Sequence, residues 1–163
     1  MEFPLATSYA TGVAVPMASL RTEESFGCGE FLDLIPFGEF CKKTTIEVVQ
    51  LLPVNDTGFQ SSPYSALSAF ALHPIYIRIG ELPGSETLPA EQLVFPEGEG
   101  IAHHFNYTEV LEKKLEMLRA LYAQLGGVEG IKASLGDWIK KNPWIDYFAV
   151  FSKNRSTHAN KHL

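Results

Sequence analysis

The stretch Ile46 to Leu52 (IEVVQLL) constrains the fold most. It is rich in β-branched and aliphatic residues, with Gln50 embedded near its end. A nearly continuous apolar run of this length suits a parallel strand covered on both faces. Upstream, Gly12 to Pro16 (GVAVP) reads as a brief buried strand, followed by a loop from Met17 to Gly29. Between the two, Asp33 is placed to cap a helix whose first turn holds Pro36, where a missing N–H costs little. That helix runs to about Lys43, with Phe37, Phe40 and Cys41 on one face. Strand, helix, strand is a βαβ unit, so the expected class is α/β with a right-handed crossover and a mostly parallel sheet.

The loop after the second strand, Pro53 to Tyr64, is dense in Asn, Asp, Gly, Ser and Pro. In α/β folds, loops at the carboxyl ends of strands are where ligands bind, so position alone marks it. Beyond it, Ser65 to Leu72 reads as a helical turn and Ile75 to Ile79 (IYIRI) as a short alternating strand. Gly80 to Phe105, rich in Gly, Pro and Glu, is expected to be irregular.

Asn106 and Glu109 form a capping box for the clearest helix, whose apolar residues Leu111, Leu115, Leu118, Tyr122 and Leu125 recur at helical spacing up to Gly126-Gly127. A second amphipathic segment carries Val128, Ile131, Leu135, Trp138 and Ile139. A third has Asn142 as cap and Pro143 at the first helical position, with Trp144, Tyr147, Phe148 and Phe151 as its buried face. The remaining residues, SKNRSTHANKHL, are polar and aperiodic and read as a frayed tail.

Composition narrows the function classes. At 163 residues and 45% apolar, the chain supports one globular core. Thirteen Lys and Arg against 19 Asp and Glu give a formal charge of −6, which is no footprint for nucleic acid or an anionic membrane. No apolar run approaches a membrane span and MEFPLATSY lacks the features of a signal peptide, so a cytoplasmic protein is expected. Cys28 and Cys41 lack metal-ligand spacing and are expected as small buried hydrophobes.

The motifs LLPVNDT, SSPYSALSAFALHPIYI and SLRTEESFGCGEF resemble glycoside hydrolase family 77, the amylomaltases and plant disproportionating enzymes. FNYTEVLEKKLEMLRALY and PWIDYFAVF resemble helical segments of the same family, so the similarity runs from about Gly12 to Phe151. Two departures stand out: the family usually has Gly where Thr45 stands, and the sequence beyond Phe151 differs from the family pattern.

The resemblance implies the first strands and helices of a (β/α)8 TIM barrel across residues 1–151, with 79–145 as a family-type helical insertion and 152–163 as a tail. A generic barrel takes about 250 residues, so the expectation is an incomplete barrel, inactive alone. A fragment, a frameshifted product or one half of a split enzyme completed by a separate carboxyl-terminal chain would each fit.

The implied chemistry is retaining transfer between α-1,4-glucans or maltooligosaccharides without a cofactor. It uses two carboxylates about 5 Å apart, one as nucleophile and one as acid/base. No position in this sequence matches either of them. By its motif, Tyr64 resembles the family's active-site tyrosine, with Ser62 and Pro63 lining the same place. An aromatic face covers the apolar face of a sugar while the phenol bonds a hydroxyl.

Asn55 and Asp56 either bond sugar hydroxyls or hold the loop through Asx turns, the commoner role for such residues. Arg21 either pairs with a carboxylate outside this chain or is simply exposed. Gly27-Cys28-Gly29 lacks the third glycine of a dinucleotide fingerprint. Glu23-Glu24 reads as a solvated loop, and His103-His104 has no further ligand at a recognised spacing. Beside the enzyme reading stand a non-catalytic glucan-binding module and a fragment whose open barrel edges promote association.

Overall fold

The computed structural model describes residues 9–95 and 106–159. Strand β1, Gly12–Val15, pairs in parallel with β2, Val48–Leu51, in the register Gly12 to Val48 through Val15 to Leu51. Helix α1, Leu34–Lys43, connects them. The βαβ unit and the end of its helix therefore stand as expected. What differs is the cover. Val49 is exposed and no residue of either strand is fully buried, so the described residues leave the sheet open where a strand covered on both faces was expected.

The core lies instead between the loop after β1, the segment from Pro74 to Leu88 and helix α2, Tyr107–Gln124. Phe26, Cys28, Ile75, Ile79, Leu88 and Leu111 meet there. Asn106 caps α2 as expected, its side-chain oxygen accepting the Glu109 N–H at 3.2 Å. The buried residues are Val110, Leu111, Lys114, Met117 and Leu121, with Leu115 and Leu118 half-buried against the core, while Tyr122 and Leu125 are exposed. The buried face therefore overlaps the expected one at Leu111, Leu115 and Leu118 and is shifted toward Val110, Met117 and Leu121, a continuity that Lys114, a cation inside the stripe, hides in the sequence.

Helix α3, Gly127–Lys141, and helix α4, Trp144–Ala159, follow. Val128, Leu135 and Trp138 on α3, and Tyr147 and Phe151 on α4, are exposed, so the described residues do not bury the expected face of α4. Asn142 links the two helices, donating to the Trp138 carbonyl and accepting from the Trp144 indole, and the helix starts at Trp144. The expected frayed tail is helical as far as Ala159.

Two further expectations fail for one reason. Segments 65–72 and 75–79 form neither a helical turn nor a strand; Pro74–Tyr76 and Ile79–Glu81 are 3-10 turns. Their backbone groups are taken up elsewhere. Asn55 bridges Leu72 antiparallel, the Ala71 carbonyl accepts from Asp56, and the Ile75 and Ile77 carbonyls accept from Lys114. The stretch 80–95 is irregular, with short 3-10 turns, as expected. His103 and His104 lie outside the described residues.

Candidate functional site

The loop leaving β2 is closed at its base by its own backbone. His73 N–H donates to the Val54 carbonyl at 3.0 Å, Asp56 N–H to Ala71 at 2.8 Å, and Leu67 N–H to Asp56 at 2.7 Å. Inside this base, the Asp56 carboxylate accepts the Gly58 N–H at 2.7 Å, an Asx turn that lets the chain reverse. Gly58 sits at φ 62, a left-handed conformation that favours glycine, with the guanidinium of Arg155 lying against it. Asp56 thus braces the loop, which is the supporting role of the two read from the sequence.

At the tip, Ser65 N–H closes a turn onto the Ser62 carbonyl at 3.1 Å. Ser62 and Tyr64 are exposed, Tyr64 to 72%, and Pro63 is half-buried. The three residues marked by the motif therefore sit together on one turn, beyond the carboxyl end of a parallel strand. Phe59 and Phe70, both exposed, lie in the same segment.

His73 and Tyr107, which nothing in the sequence marks out, lie behind the loop. His73 is 2% exposed; its Nδ1 accepts the Ile75 N–H at 3.1 Å, and its Nε2 lies 3.1 Å from the Gly58 carbonyl and 2.5 Å from the Tyr107 hydroxyl. Burial holds its pKa below the ordinary value, against the Gly58 carbonyl and Asp56, which favour the charged ring. Burial likewise raises the Tyr107 phenol.

The only cluster of buried charge among the described residues lies below β1's loop. Glu30, Asp33 and Lys114 are almost wholly buried. Arg78 spans the carboxylates: Nε donates to Glu30 at 2.9 Å, Nη1 to Glu24 at 2.8 Å, and Nη2 to Asp33. Lys114 donates to Glu30 and to the carbonyls of Ile75 at 2.6 Å and Ile77 at 2.9 Å.

Asp33 does not cap α1 with its side chain. Its carboxylate accepts from Thr22, Ser25 and the Glu30 N–H. Burial works against its charge, but these bonds and Arg78 outweigh it and hold the pKa below the usual value. Glycosidic transfer needs carboxylates that reach a sugar; these are sealed and already saturated with donors. They hold the loop after β1 onto α2.

Cys28 is buried against this cluster, and desolvation pushes its thiol up to about 11, so it is an inert apolar side chain; Cys41 is buried as well. Arg21 is exposed. No group of three or more His, Cys, Asp or Glu among the described residues is placed to hold a metal ion, and no described helix is long and apolar enough to cross a membrane.

The chain thus opens with a βαβ unit whose second strand is followed in sequence by an exposed aromatic turn, and in α/β proteins loops after strand carboxyl ends are where ligands bind. The sequence model of glycoside hydrolase family 77, described as 4-alpha-glucanotransferase, matches residues 15–163, and the chain belongs to that family. The match includes the final segment that the sequence set apart.

The chain is 41% identical over 120 residues to a 4-alpha-glucanotransferase of Chlamydia pneumoniae, covering 72% of this chain and 23% of that protein. It is 32% identical over 144 residues to the Chlamydia caviae enzyme of that name, covering 86% and 27%. To the 4-alpha-glucanotransferase DPE2 of Oryza sativa subsp. japonica it is 33% identical over 149 residues, covering 86% and 16%. The chain spans about a quarter of the length of the chlamydial relatives.

Proposed function

We propose that this chain contributes the amino-terminal barrel strands and one wall of the sugar site of a 4-α-glucanotransferase. Such an enzyme moves α-1,4-glucan segments between maltooligosaccharides by a retaining double displacement. The observation that carries the reading is Tyr64, exposed on a braced turn just past the carboxyl end of β2, with Ser62 and Pro63 beside it. In this reading β1, α1 and β2 open a (β/α)8 barrel, residues 79–145 are an insertion on it, and the protein works in the cytoplasm. The nucleophile and the acid/base come from the part of the relatives' length that this chain does not align to, supplied in the same polypeptide or by a separate chain.

A glucan-binding module without turnover is the second reading, favoured by the same accessible aromatic turn in a chain whose buried carboxylates are committed to Arg78 and Lys114. Incubation with maltotriose, with products followed by chromatography and binding by calorimetry, tests the sugar site and the absence of turnover that both readings share. The expected result is saturable binding, lost in Tyr64→Ala, with no glucose or longer oligomers formed. Product formation would sink the assignment of the carboxylates to a region outside this chain. Absence of binding would remove Tyr64 from the sugar site.

A further inference from the structure

We propose that Tyr107 and His73 are positioning residues for the Tyr64 turn, gripping the loop from behind and coupling its placement to helix α2. The sugar-facing part of this inference rests on the function proposed above; the grip itself does not. Tyr107, on the first turn of α2, donates its hydroxyl to the Gly58 carbonyl at 2.8 Å and lies 3.1 Å from the Thr57 hydroxyl, which itself donates to Gln60 at 2.6 Å. His73 closes the set from the other side of the loop. The residues they hold, Thr57 and Gly58, begin the excursion that carries Ser62, Pro63 and Tyr64.

The ring's hydrogen-bond pattern assigns its tautomer. Nδ1 receives the Ile75 N–H, so it keeps its lone pair, and the neutral ring carries its proton on Nε2, directed at the Tyr107 oxygen and the Gly58 carbonyl. Tyr107 accepts from His73 and donates to Gly58, which polarises both bonds in the same direction. A second proton on the ring would set two N–H donors, Nδ1 and Ile75, against each other. The groups facing the ring are the Gly58 carbonyl, 3.1 Å from Nε2, Asp56, 3.7 Å from it, and the rings of Tyr76 and Tyr107, packed at 5.9 and 5.7 Å; burial disfavours the extra proton, and the Gly58 carbonyl and Asp56 favour it.

The sign of the pH effect follows. The folded pKa lies below the usual 6.5, so the contribution of the neutral ring is complete above 6.5 and is lost as pH falls through the lowered value. The grip is intact at neutral pH and loosens in mild acid.

Amide hydrogen exchange measured by NMR on the full chain tests this. Tyr107→Phe removes one hydroxyl and leaves the ring. His73→Asn keeps an acceptor for the Ile75 N–H through an Asx turn but no longer reaches Gly58. In both variants at pH 7 the Gly58 and Gln60 amides should exchange about tenfold faster, the effect of one lost buried hydrogen bond. Amides of Val110 and Leu121 in α2 should be unchanged. In the wild type, the same two loop amides should approach the variants' behaviour as pH falls below 6.5, once intrinsic exchange is corrected for.

Equal rates in wild type and variants, or a rise shared by the α2 amides, overturns the proposal. Maltotriose added to the wild type reads the other assumption separately. If it leaves the Tyr64 ring signals unmoved while the variants loosen the loop, the sugar site is wrong and the grip stands.

Discussion

Thr45 stands at φ 57, in the left-handed region where a β-branched residue is strained. It occupies this position because α1 ends in a Schellman motif: the Ile46 N–H returns to the Cys41 carbonyl at 3.0 Å, and the residue between them and the helix end must be left-handed. Glycine, which the resemblance leads one to expect here, adopts that conformation at no steric cost. Thr45→Gly should therefore raise stability by about 0.5–1 kcal/mol, the relief of strain less the added freedom of the unfolded chain, read as a higher urea midpoint at unchanged slope. An unchanged or lower midpoint would show that the Thr45 hydroxyl, bonded to the Thr44 carbonyl at 2.7 Å, compensates the strain. Asp33 gives the same lesson at this scale, since a residue suited to capping a helix is drawn into a buried network by Thr22, Ser25 and Arg78.

At the scale of elements, α2 organises the described core, and Lys114 is what docks it. From a helix it reaches Glu30, 84 residues earlier in the chain, and two carbonyls of segment 75–77. Those carbonyls explain why IYIRI, which alternates like a strand, is not one: its acceptors face an ammonium rather than a neighbouring strand. Lys114→Met fills similar volume but leaves Glu30 with Arg78 as its remaining cation. The expected loss is about 3 kcal/mol, the lower end for breaking a buried ion pair, measured by urea denaturation. A loss under about 1 kcal/mol would mean that Arg78 and the Phe26 N–H suffice for Glu30.

Across the whole molecule, burial is uneven. The described core is closed around α2, whereas β1 and β2 form a two-stranded sheet with an exposed face, and α3 and α4 present Val128, Trp138, Tyr147 and Phe151 to solvent. Open strand edges and aromatic faces of this kind drive association. The isolated chain should self-associate with rising concentration in sedimentation velocity, and Val49→Lys, on the exposed strand, should weaken that association. A monomer at all concentrations would show that the open sheet does not template pairing.

The sequence by itself determined the local elements and the motif. The apolar run at 46–52, the Asn106 cap and the glycines after α2 act through neighbours a few residues away, so periodicity and turn chemistry reveal them. The turn that displays Tyr64 was legible for the same reason, being built from adjacent polar and small residues. Only the tertiary structure decided which face of α2 is buried, that 75–79 bends into turns, and that His73 and Tyr107, 34 residues apart, meet behind the loop. Those outcomes depend on charge pairing and hydrogen bonds between distant residues, and a buried lysine looks like a solvated one until its carboxylate partner is brought beside it.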